Sequence, residues 1–433
     1  MRQPLKSKVL ILSAIYPPRG GSCVQRVYYF SEYLAELGHE VWVVTEGIQR
    51  FWASDHHLCP KAVRSDQIIR IPLYPSSIIR AVDRLLARFL VSPLYPDSHV
   101  LWAIGAYRAA LKIIDREKIE SLVVNLGHPS ALWCAFRLKQ ERPQLRLHVD
   151  IQDVWAGNPT SFQGRHQLWP IRSIDAALER RFLANADQIT VIEQGMANQI
   201  IKTHPEKASQ VSVLPHGYDE ETFRAVLSVH DSHKVQPDRP TCVFRYLGFA
   251  HPDMRMDNFF SAIAHARNSD ERQFRDVQFE FIGGSPGTVR ELARASAIED
   301  LVRAVDYVEH SEAVRLMLDA DVLLLFWTSD PSCVCGKLYE YIRANRFILA
   351  SAQGNPDGQR LIEESRRGQW INAFNITEQT RTIQQLVESV RNGNELLKVE
   401  KLPDIDHLDR RNIVKSLSLL LEFDGAQEVR QTA

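Results

Sequence analysis

Gly336-Lys337-Leu338-Tyr339-Glu340-Tyr341 holds the side chains best suited to chemistry in this chain. It follows Val322-Leu-Leu-Leu-Phe-Trp327, an apolar run that reads as a buried parallel strand, and it opens a helical pattern through Leu338, Tyr341 and Ile342. A glycine and a lysine at a strand–loop–helix junction set free backbone N–H groups, a helix dipole and a cation where a phosphate would sit. Glu340, one turn in, is placed to accept hydrogen bonds from a ribose; as readily, Lys337 and Glu340 form an exposed i,i+3 pair on a surface helix. Other groups could share the work. Gly20-Gly21 follows the first strand and lets the backbone approach a ligand closely, or simply turns the chain. Arg255, a few residues past Gly248, has the planar donor fork that grips phosphate, or is a solvated loop arginine. His128, in Asn125-Leu-Gly-His-Pro-Ser130, follows a strand and would point at a ligand cleft, or serves the structure alone. Asp153 stands at another strand end, where ligands gather in open α/β sheets, or pairs locally with Arg26 or Arg165. Trp102 and Trp155 could stack on a sugar, though core packing suits both better.

The elements that must position these groups alternate along the chain. Lys8–Ile15 reads as a strand, Cys23–Leu37 as a helix closed by Gly38, and Val41–Thr45 as the next strand. Residues 47–75 read as irregular. Strands at Leu122–Asn125, Leu147–Ile151, Ile189–Ile192 and Val211–Leu214 follow, with helices between them. The polar stretch 224–239 reads as a linker, after which strands recur at Val243–Gly248, Val277–Gly283, Val302–Val308, Val322–Trp327 and Phe347–Ala350. This predicts an α/β protein of two Rossmann-like, doubly wound domains facing across a cleft, residues 1–223 and 240–408. A helix over 409–423 opens a C-terminal tail whose docking site the sequence does not indicate.

A length of 433 residues suits two cores, and a net charge of −1 gives no bias toward nucleic acid. Six scattered cysteines form neither a disulfide framework nor a zinc pattern, and the expectation is a cytoplasmic protein with reduced thiols. The short apolar run Val9–Leu12 leads into Pro17-Pro18-Arg19-Gly20-Gly21 rather than a cleavage site, so it reads as a strand and not a signal peptide. Along Ile78–Leu90, Arg80, Arg84 and Arg88 stripe one side of an amphipathic helix whose other face is apolar. Such a helix lies on an anionic membrane surface, which would make the protein peripheral to the inner face of the membrane, or packs as an ordinary domain helix.

Several motifs now carry a resemblance. Tyr16-Pro17-Pro18, Gly20-Gly21, Arg26 and Gly38-His39-Glu40-Val41 look like the opening of GT-B glycosyltransferases of family 4. Asp150-Ile-Gln-Asp153-Val-Trp155, Ala186-Asp187, Pro215-His216-Gly217-Tyr218-Asp219, Tyr246-Leu-Gly248, His310-Ser-Glu312-Ala313 and Lys337-Leu-Tyr-Glu340-Tyr341 continue the series in order. The resemblance implies a retaining glycosyltransferase that moves a sugar from a nucleotide-diphosphate sugar to a glycan or lipid-linked acceptor, in polysaccharide or glycolipid assembly. It implies donor binding by Gly20, Gly21, Gly248, Arg255, Gly336, Lys337, Leu338 and Glu340, and catalytic work by His128, Asp153, Arg255 and Lys337. No cofactor is expected. With no D-x-D metal signature at a strand end, cationic side chains and a helix dipole are expected to stabilise the leaving diphosphate. One departure stands out: Ser332 occupies the place, eight residues before Glu340, where the family carries its first glutamate. Two other readings stay open, a nucleotide-sugar epimerase of the same fold and a catalytically silent homologue that binds a partner.

Overall fold

The computed structural model describes residues 6–48, 55, 58–74, 79, 95–156, 169–229, 242–251, 254–327, 335–393 and 404–422. They divide into two compact units, one made of residues 1–216 and 410–433 and the other of residues 217–409.

The first unit is a parallel sheet of β1 (Lys8–Leu12), β2 (Glu40–Glu46), β3 (Ile68–Ile71), β4 (Ser121–Asn125), β5 (Arg146–Ile151), β6 (Gln188–Val191) and β7 (Val211–Val213). Its order is β3-β2-β1-β4-β5-β6-β7. The crossovers are α1 (Ser22–Glu36), α2 (Val100–Glu117), α3 (Pro129–Glu141), α4 (Trp169–Leu183) and α5 (Gln194–Thr203). Central strands become continuous apolar runs because helices cover both faces; Val9, Leu10, Ile11 and Leu12 are at most 1% exposed. Gly38, at φ +96, ends α1 where a side chain would be strained.

The second unit repeats the plan with β8 (Cys242–Leu247), β9 (Val277–Ile282), β10 (Val302–Val305), β11 (Val322–Phe326), β12 (Phe347–Ala352) and β13 (Gly368–Asn372), in the order β10-β9-β8-β11-β12-β13. Its helices are α6 (Glu220–Val229), α7 (Met256–Ser269), α8 (Pro286–Ala295), α9 (His310–Leu318), α10 (Gly336–Ala344), α11 (Pro356–Ser365) and α12 (Ile376–Arg391). An aromatic layer of Phe244, Phe259, Phe279, Phe281 and Phe326 fills one side of the sheet. In both units the chain winds outward from one strand, returns beside it and winds the other way. The reversal falls between β1 and β4 in the first unit and between β8 and β11 in the second. Two doubly wound parallel sheets are the fold class that the alternation predicts.

Three details differ from the sequence reading, and a fourth adds to it. Ile68–Ile71 is an edge strand inside the stretch expected to be irregular. Gly368–Asn372 adds a strand after the last one expected. Residues 224–229, expected to begin a linker, complete α6, where Phe223 and Val226 are buried against the second unit's core. The C-terminal helix α13 (Arg410–Glu422) finds its place on the first unit: Ile413, Val414, Leu417 and Leu421 join Val24, Val27 and Leu34 of α1 in one cluster. His39 fixes it, bonding Ser418 Oγ at 2.7 Å through Nε2 and Ser7 Oγ at 2.7 Å through Nδ1.

Candidate functional site

In the second unit, β11 delivers the chain to α10, with Gly336 and Lys337 in its first turn. Lys337 does not trail into solvent. It is half-buried, with Nζ 5.2 Å from the centre of the Tyr246 ring at the end of β8. A Cβ on Gly248 would lie 2.2 Å from that Nζ and 2.7 Å from the Tyr246 hydroxyl oxygen, so the absent side chain is what gives the ammonium its room. Gly283, after β9, has φ +149, and a Cβ there would lie 2.0 Å from the Gly248 carbonyl oxygen. Two glycines thus let the loops after β8 and β9 close on one another beside the lysine. The Tyr341 hydroxyl accepts the Leu247 N–H at 3.0 Å and ties the end of β8 to α10. Burial would lower the Lys337 pKa, but Tyr246, Cys335 and Glu340 outweigh it and raise it to about 12. Burial raises Tyr246, so the pair at neutral pH is a cation on a neutral phenol.

Two further residues of this unit are engaged within the protein. Glu340 is 6% exposed and its carboxylate meets His310 Nε2 at 2.8 Å, across from the first turn of α9. Arg255 caps α7 in a left-handed conformation, φ 51, donating to Asp257 at 2.9 Å and lying 5.3 Å from the Phe374 ring centre. Its Nε is buried with no hydrogen-bond partner among the described residues. Leu338 needs correction as a ligand-binding residue: its side chain is wholly buried in the core and its N–H goes to the Cys335 carbonyl. Ser332 lies outside the described residues.

At the reversal between β1 and β4, the first unit places His128 as the residue before α3 and His99 as the residue before α2. Their rings stack, centres 3.6 Å apart and planes 20° from parallel. Asp97 staples the two helix starts together, accepting the His99 N–H at 2.6 Å and the Ser130 N–H and Oγ–H at 2.8 Å each. Behind His99, Glu46 Oε2 lies 3.6 Å from Nε2, and the other Glu46 oxygen accepts from Arg19 at 2.8 Å. Burial, then His99, then Arg19 hold His128 well below the usual imidazole pKa, so it stays neutral. His99, Asp97, Glu46 and Arg19 were invisible as site residues in the sequence, where only a Pro96-Asp97-Ser98-His99 helix start marks them.

Asp97, His99 and His128 bring donor atoms within 4.8 Å of one another, which invites a metal. The stacking argues against it. Imidazole lone pairs lie in the ring plane, and planes this close to parallel do not meet at a bond length of about 2 Å. Both Asp97 oxygens are, besides, occupied by hydrogen bonds.

Gly20 is buried in the loop after β1, and Gly21, at φ +119, precedes α1 with nothing within 4 Å of where a Cβ would be. Arg26 does not pair with Asp153: it donates to Asp150, wholly buried at the end of β5, with Nη2 at 2.7 Å and Nε at 2.9 Å. Asn125 and Thr190 complete the shell of that carboxylate at 3.0 and 2.9 Å. Despite a burial penalty that opposes it, Arg26 holds the Asp150 pKa down. Asp153 is half-buried in the following loop, and its other proposed partner, Arg165, lies outside the described residues. Trp102 and Trp155 are fully buried core residues. Arg80, Arg84 and Arg88 lie outside the described residues, and no helix among those described is long and apolar enough to cross a membrane.

Comparison with known proteins agrees with the fold. Residues 23–222 match the sequence profile described as Glycosyltransferase Family 4. No curated protein matches the sequence. Among solved structures, WaaG, a glycosyltransferase involved in lipopolysaccharide biosynthesis, is similar at 16% identity and a TM-score of 0.63, covering 95% of this chain and 99% of its own. HepE of Anabaena, solved in complex with UDP and glucose, is similar at 12% identity and 0.63, covering 96% and 99%. A putative UDP-N-acetylglucosamine 2-epimerase from Listeria monocytogenes is similar at 10% and 0.60, covering 98% and 100%. At such identities the likeness is one of fold: the chain has the two-domain GT-B glycosyltransferase fold.

Proposed function

We propose that this protein is a retaining glycosyltransferase that takes a sugar from a nucleotide-diphosphate sugar and delivers it to a glycan or lipid-linked acceptor in polysaccharide or glycolipid assembly. The observation that carries the reading is the placement of Lys337 and Gly248 at the strand reversal of the second sheet, the position at which open α/β sheets bind nucleotides. A protonated amine beside a helix start and a glycine-lined gap answers the charge of a departing diphosphate without a metal or cofactor. HepE, solved with UDP and glucose, supports the donor class, and WaaG, involved in lipopolysaccharide biosynthesis, is in keeping with glycolipid assembly. His128, neutral and half-buried, is suited to hydrogen-bond a sugar hydroxyl in the first unit. Arg255, whose side chain is partly exposed, is the second diphosphate ligand. Glu340, bonded to His310, is a rigid acceptor for ribose hydroxyls. Peripheral attachment to the inner face of a membrane rests on the Arg80, Arg84 and Arg88 pattern.

The test is nucleotide-sugar hydrolysis and transfer by purified protein across a donor panel. Lys337→Ala should lower turnover by about 10²–10³, with a melting temperature close to that of the unaltered protein. Interconversion of donor sugars with no acceptor present would replace the reading with an epimerase. A donor bound but never turned over would replace it with a silent binding protein.

A further inference from the structure

Between α4 and α5 the first unit contains a cavity of about 410 Å³ that the chemistry above does not use. That size falls within the roughly 300–1,000 Å³ of small-molecule sites. Its polar lining comes from Arg172, Glu179, Arg180, Gln199, Thr203 and His204. Some arginines near the surface are answered by carboxylates, as in Arg142–Asp115 at 2.7 Å and Arg267–Asp300 at 2.9 Å. Arg172 and Arg180 have no such ion pair among the described residues. Eight residues apart on one helix, they are separated by roughly 12 Å along its axis and bracket the cavity.

The floor is built rather than incidental. Glu179 is 6% exposed and accepts the Ala156 N–H at 2.8 Å. His204 is 1% exposed, with Glu206 at 3.5 Å from its Nδ1. Burial, opposed by the backbone N–H bonds and aided by Asp175, raises the Glu179 carboxyl to about 7, so near neutrality it is about half ionised and the two guanidiniums keep a net positive charge. What remains is a polar cleft with two unanswered cations, a hydroxyl and an amide.

We propose that this cavity binds a phosphorylated saccharide, its phosphate held by Arg172 and Arg180 and its hydroxyls by Thr203 and Gln199. Guanidinium forks suit phosphate in the bidentate manner. The Thr203 hydroxyl donates to the Gln199 and Ile200 carbonyls at 3.2 and 3.0 Å and keeps its lone pairs to accept from a sugar O–H, while the Gln199 amide both donates and accepts. The binding stands on the cavity alone; that the ligand is the acceptor rests on the glycosyltransferase reading.

The experiment is calorimetric titration of the full chain with glucose 1-phosphate, inorganic phosphate and glucose, alongside a prenyl-phosphoglucose in detergent micelles. The expectation is that glucose 1-phosphate binds more tightly than phosphate or glucose, and that Arg172→Ala/Arg180→Ala weakens it by roughly 30-fold or more. Thr203→Val should weaken it several-fold, and Lys337→Ala should leave it unchanged. Tighter binding of the prenyl compound identifies a lipid-linked ligand, and equal binding a soluble one; both support the site. Facing groups are Arg172, Arg180, His204, Glu206 and Asp175, so loss of affinity above pH 7 that Glu179→Gln abolishes would assign the carboxyl. Binding that survives the double arginine variant, binding lost in Lys337→Ala, or none at about 10 mM ligand overturns the proposal. Nucleotide-sugar hydrolysis persisting in that case would leave the transferase reading intact. Absence of hydrolysis with binding preserved would do the reverse.

Discussion

At the reversal between β1 and β4 the first unit presents two stacked imidazoles, one of them kept neutral by burial, whereas at the matching reversal between β8 and β11 the second presents a lysine held protonated against a phenol. One strand plan therefore supports opposite electrostatics. Both units pair strong charge internally, in Arg26–Asp150 and Arg245–Glu280. The second keeps a cation near an opening that glycines create. Backbone topology selects where ligands gather, while the side chains at two or three strand ends decide which charge they meet.

The largest effect that would test this contrast is removal of Arg26. Arg26→Met leaves Asp150 ionised and unanswered in the core, and the first unit should lose about 3–5 kcal/mol in chemical denaturation at pH 7. The pH dependence should also reverse. In the unaltered protein Asp150 has a lowered pKa, so its contribution is present above the unfolded carboxyl value near 4 and fades as pH falls through the lower folded value. In the variant the unpaired carboxyl titrates higher than in the unfolded chain, and its destabilisation shrinks on acidification. A loss that stays constant with pH would show that the pair is not what holds this carboxylate.

Next comes acid lability. The histidines whose pKa burial lowers, His39, His128, His148 and His204, all lie in the first unit. In the second, among described residues, His251, His265 and His407 are exposed and His310 is bonded to Glu340. His148 is lowered to about 4, so its neutral form stabilises the fold fully above about 6.5 and the contribution is lost as pH falls through about 4. The shift corresponds to something on the order of 3 kcal/mol. Hydrogen exchange between pH 6.5 and 4 should show the first unit opening before the second; simultaneous opening would erase the asymmetry.

The smallest effects separate the glycines. Gly283→Ala meets the Gly248 backbone at 2.0 Å and should cost about 1–3 kcal/mol of stability. Gly248→Ala meets the flexible end of Lys337 at 2.2 Å, so it should lower donor affinity by about tenfold while the melting temperature moves little. Equal stability losses in the two variants would mean that Gly248 serves the fold and not the lysine.

How much of this the chain announces depends on range. Central strands such as Val322–Phe326, buried on both faces, are legible as unbroken apolar runs, and so were the two sheets. Edge strands were not: Ile68–Ile71 is half-buried along its length, and Gly368–Asn372 opens on glycine and mixes polar with apolar residues. Lys337 could be placed because strand, glycine, lysine and helix are contiguous. Arg26 and Asp150 are 124 residues apart, and Glu340 and His310 are 30 apart, so only the fold could reveal which acid meets which base. His99 was hidden for the same reason, its partner being a ring supplied by a different helix start.

The return of the last helix to the first unit has a bearing on synthesis. Residues 1–216 emerge from the ribosome long before the segment from 410 onward that completes them, with the whole second unit made in the interval. Until then Val24, Val27 and Leu34 lack the cover of Leu417 and Leu421, and His39 lacks Ser418. Such a chain can finish its later-born half first, and a stop codon near 409 would strand an uncovered apolar flank on the older one.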